Sequence, residues 1–197
     1  MKYPPQHHQC NDKQKLLTVI KHYPLATIIS VDENGPLVTH LPLIVNDSHQ
    51  LIGHIDKFNP HGNLLMDNNN VTVIFSGPQC YISPSIYTTT QLPTWNYIKV
   101  HLKGKVQAIT EEEEIMQTMV DMTTFLEGTD QNYKLEMSNP RMAGAINYVK
   151  GFKIDVHSWE GKFKLSQDKK AIDKNNARSE MERAEGQSIS SFLDKIY

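Results

Sequence analysis

The spacing of apolar positions changes repeatedly along this chain and sorts most of it into elements. Over 12–22, Leu16, Leu17, Val19 and Ile20 form one stripe at helical spacing; Asp12 is placed to cap that helix and Pro24 to end it. LATIISV (25–31) and LVTHLPLIV (37–45) are short apolar runs, and DENGP (32–36) between them carries an Asn-Gly turn. Together they predict a β-hairpin. NDSHQ (46–50) is a further turn, and LIGHI (51–55) a third strand. Asn59 as cap and Pro60 at the first helical position predict a short helix over 59–69, with Leu64, Leu65 and Met66 inward. VTVIFSG (71–77) is a strand, GPQCYISPSIY (77–87) a Gly/Pro/Ser-rich loop, and IKVHLKGKVQAI (98–109) an alternating strand with a bend at Gly104. Thr110 and Glu113 make a capping box that opens a helix over 111–127, with glutamates where the helix dipole favours them. Ser138 or Asn139 before Pro140 starts a short helix to about 147, and GFKIDVHSW (151–159) is the last strand.

Tight turns between neighbouring strands favour antiparallel pairing. Roughly six strands with three or four peripheral helices make an α+β fold, with a barrel as the sheet form. From about residue 166 the chain becomes charged and poor in large apolar groups. The division read from this is a domain over 1–165 and a polar, helical C-terminal arm over 166–197, in which FLDKIY (192–197) can dock as an amphipathic turn.

Composition removes several classes. The chain has 197 residues, 39% of them apolar, and 20 basic against 22 acidic side chains for a net charge of -2. That suffices for one domain with a tail and is too apolar for a disordered chain. No run approaches the roughly 18 apolar residues of a membrane-spanning helix. The N-terminal stretch lacks an apolar signal core, so a cytoplasmic protein without membrane contact is expected. Cys10 and Cys80 form neither a disulfide framework nor a complete metal site. The charge balance argues against a surface built to grip phosphate backbones.

The candidate chemistry lies in polar residues at unusual positions. Thr39 and His40 sit on the second strand and His54 on the third. Asn59 and His61 stand at a helix start, whose unpaired N–H groups suit a phosphate. Trp95 and Asn96 flank a strand start, and Lys162, Lys164 and Ser166 follow the last strand. The histidines lack metal-ligand spacing, so no metal is assigned, and His7-His8 reads as a solvated pair. No nucleophile elbow, dinucleotide fingerprint or P-loop is present, and no catalytic residue is assigned.

MKYPP at the start, THLPL (39–43), GHIDKFNPH (53–61), FSGPQCYISPSIY (75–87), PTWNY (93–97), VHLKGKV (100–106) and EGKFKLSQDK (160–169) follow in order across about 165 residues. In combination they resemble the PaiB type of FMN-binding negative transcriptional regulator. The resemblance implies an FMN-binding split β-barrel, related to pyridoxamine-phosphate oxidases and flavin reductases. It further implies a bacterial homodimer with flavin at the subunit interface, named for repression of sporulation and protease genes. On that footing Asn59 and His61 hold the flavin phosphate, and Lys162 or Lys164 supplies a positive partner if the C-terminal motif folds back. Thr39, His40 and His54 line the site, Trp95 and Asn96 face the ring or close the interface, and Ser166 belongs to the C-terminal motif. The chain departs from the family's usual GPHAYVSPSWY and GKWKLSQN at Gln79, Ile86, Phe163 and Asp168. A carboxylate at 168 would repel a phosphate.

Two other functions compete. One is an enzyme on the same barrel, either an FMN-dependent oxidoreductase or a haem-handling protein with His40, His54 or His101 as axial ligand. The other is direct DNA binding, through the arm's Lys169, Lys170, Lys174, Arg178 and Arg183. No helix-turn-helix supports it and acidic residues interleave there, so a protein partner is the other route to regulation.

Overall fold

The computed structural model describes residues 4–129 and 132–186; the docking expected of FLDKIY falls outside them. In chain order the elements are β1 (Gln9–Cys10), α1 (Lys13–His22), β2 (Leu25–Asp32), β3 (Gly35–Pro42), β4 (Ile44–Val45), β5 (Leu51–Asp56), β6 (Asn70–Ile82), β7 (Thr94–Ile109), α2 (Glu112–Glu127), α3 (Pro140–Ala145), β8 (Val149–Lys164) and α4 (Ala171–Glu185). The expected strands are the longer ones, β1 adds two residues, and the run expected as one strand over 37–45 is broken at Leu43 into β3 and the two-residue β4. The chain divides into two compact units, one of 11–76 and 100–160 and a smaller one of 1–10, 77–99 and 161–197.

The larger unit is built on a sheet in the order β3-β2-β6-β7-β8-β5-β4. β2 and β3 form the expected hairpin, in which Asp32 accepts the Asn34 N–H at 2.8 Å and Gly35 takes a φ of +118° that suits glycine. β2 alternates strictly over Ala26, Ile28 and Ser30, all buried, because one face of the strand meets the core. Phe75, Leu102, Phe152 and Ile154 from β6, β7 and β8 fill that core, and Leu16 and Ile20 of α1 are buried with them. Asp12 caps α1 by accepting the N–H groups of Gln14 and Lys15. At Gly104 a Cβ would meet Ile154 Cγ2 at 2.5 Å and the Asp155 carbonyl at 2.6 Å. The glycine thus permits close approach of β8, and β7 continues through it as one strand.

The capping box expected at Thr110 is not formed. α2 begins one residue later, with Glu111 as N-cap and no side-chain cap bond, and the Thr110 hydroxyl instead donates to Glu111 Oε1 at 3.5 Å. α3 starts as expected, with Asn139 accepting the Arg141 N–H.

The smaller unit consists of the far ends of β6, β7 and β8, with β1 paired to β8 (Gln9↔Lys162, Cys10↔Gly161) and α4 packed by Ala177 and Met181 on Cys80 and Ile82. This corrects the reading of 77–87 as loop. β6 runs on to Ile82 because Cys80 and Ile82 keep the inward period of two and find α4 to pack on. Gly77 lies against Ile98, whose Cβ would be 3.2 Å from an added methyl, so a side chain there would press on Ile98. Asp173 is buried and accepts the Thr88 N–H at 2.8 Å; Asn176 donates to the Ile86 carbonyl at 2.7 Å. These two bonds join the start of α4 to the turn after β6. The arm is therefore helical over 171–185, as expected.

Candidate functional site

In the larger unit the chain turns sharply after β5. Asp56 O takes the Asn59 N–H at 3.0 Å, Asn59 O takes the Gly62 N–H at 2.9 Å, and Asn59 Oδ1 takes the His61 N–H at 3.0 Å. The resulting helix is a four-residue 3-10 turn, Pro60–Asn63, and not the helix expected over 59–69. Its backbone donors are consumed within the turn: Pro60 has none, and those of His61 and Gly62 are bonded to Asn59. The helix-terminus argument for a phosphate is thereby replaced by a side-chain one.

Those side chains are well placed. His61 is 1% exposed, and its Nδ1 lies 2.9 Å from Thr39 Oγ1 on β3. Asn59 Nδ2 reaches the same hydroxyl at a long 3.5 Å. The remaining ring atom, His61 Nε2, is buried with no hydrogen-bond partner. A buried polar atom without a partner is costly, so a group that completes it is expected there. In the tautomer where the Thr39 hydroxyl donates to Nδ1, Nε2 carries the proton and is a donor that a phosphate oxygen could satisfy. A positive charge lies against the same turn: Lys150 Nζ is 3.1 Å from Asn63 Oδ1 and 3.4 Å from the Gly62 carbonyl. The sequence reading missed Lys150, because β8 brings it to the turn from nearly ninety positions away.

Thr39, Asn59 and His61 are thus gathered, whereas His40 is not. Side chains alternate across β3, so His40 lies on the exposed side, where its Nδ1 pairs with Thr27 Oγ1 at 3.0 Å. His54 on β5 is half-buried, with its Nδ1 buried and unpartnered. A cavity of about 570 Å³ in this unit lies between Ile29–Asp32, Asn69–Thr72, Lys103–Gly104 and His157, and none of the site residues named from sequence lines it.

Burial lowers the pKa of both His54 and His61 below the ordinary 6.5, which favours neutral rings. In the unfolded chain the same rings take up protons at 6.5. Below that pH the unfolded state therefore binds more protons than the folded one. Stability is thus fully present above pH 6.5 and is lost as pH falls through 6.5 toward the folded values. Urea midpoints at pH 7.5 and 5.5 are expected to show this fall, and His54→Gln is expected to flatten part of it. Equal slopes for the two proteins would exclude His54 as a contributor.

In the smaller unit Asn96 and Ser166, both buried, meet Tyr87. Tyr87 Oη is 2.8 Å from Ser166 Oγ, which accepts from Asn96 Nδ2 at 3.1 Å. Ser166 holds this place with a φ of +58°, unusual for a non-glycine residue. Lys164 Nζ donates to Thr94 Oγ1. These residues line a pocket of about 310 Å³ that also holds His8, Asp168 and Lys169. Lys162 stands on β8 opposite Gln9. Trp95, 50% exposed, points away from Asn96 as its neighbour on β7 and packs its ring 6.5 Å from that of Tyr81. Tyr87 was not singled out from sequence; only its family motif, SPSIY, pointed to it.

Comparison with known proteins adds to this geometry. The model of a family described as "Putative FMN-binding domain" matches residues 2–158. The protease synthase and sporulation protein PAI 2 of Bacillus subtilis (strain 168) is 26% identical over 187 residues, 93% of this chain and 90% of that protein. Among solved structures, the FAD and heme binding protein of Mycobacterium smegmatis superposes with a TM-score of 0.63 at 15% identity, covering 86% of this chain and 80% of that one. The flavocytochrome Anf3 of Azotobacter vinelandii gives 0.62 at 13% identity, covering 79% and 69%. At such identities the structural likeness concerns the fold, an α+β split barrel, as the sequence implied.

Proposed function

Since this chain belongs to the FMN-binding domain family, whose model spans most of it, we propose that it holds the FMN phosphate at Thr39, Asn59 and His61 and serves as a flavin-dependent regulator. The observation that carries this reading is His61 Nε2, buried and unpartnered beside a fixed hydroxyl and amide. A phosphate oxygen at Nε2 would supply the missing acceptor. Lys150 Nζ would add charge, and a hydrogen bond to an ionised acceptor is about twice as strong as a neutral one. Thr39 holds the ring at Nδ1, and Asn59 sets the turn through its Oδ1 while its Nδ2 reaches the Thr39 hydroxyl. When bound, FMN would supply a redox-active ring; the residues named here bind and orient its phosphate end.

A homodimer with flavin at its interface is part of the proposal. The exposed Tyr81–Trp95 ring pair supports an interface on the smaller unit, because exposed aromatic pairs are favoured in contact surfaces. Regulation is proposed to run through a protein partner. α4 carries three basic against four acidic side chains. Its arginines are held by Glu182 and Glu180 at 2.7 and 2.5 Å. Such a helix offers little net attraction to nucleic acid. No described helix is long and apolar enough to cross a membrane.

Purified protein is expected to take up FMN and to display the bound flavin's visible absorbance after gel filtration. Protein that stays colourless after incubation with excess FMN would contradict the reading.

A further inference from the structure

We propose that His7, His8 and Asp168 form a binding site for a divalent transition-metal ion. The sequence gives no hint of it, because the residues lie about 160 positions apart; the smaller unit brings them together. One ligand atom from each, two imidazole nitrogens and a carboxylate oxygen, all lie within 4.8 Å of one another. The two rings meet edge to face with centroids 4.1 Å apart. Ligands around one zinc-sized ion at about 2.0–2.2 Å stand roughly 3–3.5 Å apart. Side-chain rotation of the exposed His7 and Asp168 closes the remaining gap, with Asp168 sharing its carboxylate between the ion and Lys169.

The donor set selects the ion. Two imidazoles and one carboxylate suit Zn²⁺, Co²⁺, Ni²⁺ or Cu²⁺, whereas Ca²⁺ and Mg²⁺ take oxygen ligands. The protonation states also fit. Burial, then His7 and Lys164, lower the pKa of His8, leaving a neutral ring able to ligate. Burial alone would raise Asp168, but hydrogen bonds from Lys169 and its own backbone outweigh it and keep the carboxylate ionised. Lys169 Nζ pairs with Asp168 Oδ2 at 3.0 Å. Lys164 and Lys169 repel a cation, which sets the affinity below that of a dedicated structural zinc site.

The consequence would be mechanical. β1 is tied to β8 by only two residue pairs. A metal joining residues 7 and 8 to 168 would clamp the N-terminal segment beside the turn that carries Ser166.

The test is titration of the untagged full-length protein with Co²⁺, read by its visible d–d absorption, with Zn²⁺ as competitor. About one equivalent is expected to bind, and Zn²⁺ to displace it. Asp168→Asn and His7→Ala, both at exposed positions, are expected to weaken Co²⁺ binding by about tenfold or more. His22→Ala, at an exposed helix position, is expected to leave it unchanged. Absence of a saturable signal at millimolar Co²⁺ would overturn the proposal. So would Asp168→Asn and His7→Ala proteins that bind as the unaltered chain does.

Discussion

Replacing Phe152 by alanine is expected to destabilise the protein by about 3–5 kcal/mol, the usual cost of emptying a buried aromatic site. Phe152 is fully buried on β8 and pairs in register with Gly53 on β5. Its ring fills the space over that glycine: a Cβ at Gly53 would sit 3.2 Å from Phe152 Cζ and 2.4 Å from Leu43 Cδ2. Gly53 is held in the β5–β8 ladder and Leu43, between β3 and β4, by its N–H to Pro24 O at 3.0 Å, so little of the void can close and most of the cavity term remains. For a chain of this length the loss corresponds to a fall of roughly 6–20 °C in Tm. Thermal and urea unfolding measure it. A change below about 1 kcal/mol would mean that the ring is not part of the packed core.

The second large effect concerns binding. The double substitution Asn59→Ala and His61→Ala is expected to weaken FMN affinity by more than tenfold, about 1.4 kcal/mol or more. The first change removes both the acceptor that fixes the His61 N–H and the amide beside Thr39. The second removes the unpartnered Nε2. A fluorescence titration of FMN reads the loss, and far-ultraviolet circular dichroism checks that the fold is kept. Unchanged affinity would place the phosphate elsewhere.

The elements written in local pattern were legible in the sequence. Asp12 caps α1 as expected, Asn139 proves to be the cap of α3 between the two candidates Ser138 and Asn139, and DENGP makes the turn between β2 and β3. The features that escaped depend on distant partners. The far half of β6 reads as a loop because Gly77 and Pro78 are turn residues; only α4, packed on Cys80 and Ile82, makes a strand worthwhile there. Leu64, Leu65 and Met66 suggested a longer helix than Pro60–Asn63 because apolar spacing cannot register how the Asn59 cap and the following turn use up the donors. At the site, Thr39, Asn59 and His61 were visible as polar residues out of place. His40, its neighbour on the strand, was selected with them although the two-residue period of β3 sends it to the other face. Lys150, Tyr87 and the approach of His7 and His8 to Asp168 had no local signal, since each contact spans about 80 positions or more.

The central claim, a phosphate held by Thr39, Asn59 and His61, is tested most directly by comparing FMN with riboflavin, which shares the ring and lacks the phosphate. The unaltered protein is expected to prefer FMN by at least about tenfold. The Asn59→Ala, His61→Ala protein is expected to bind riboflavin as before and to lose most of that preference. A preference for FMN that survives the double substitution intact would contradict the account.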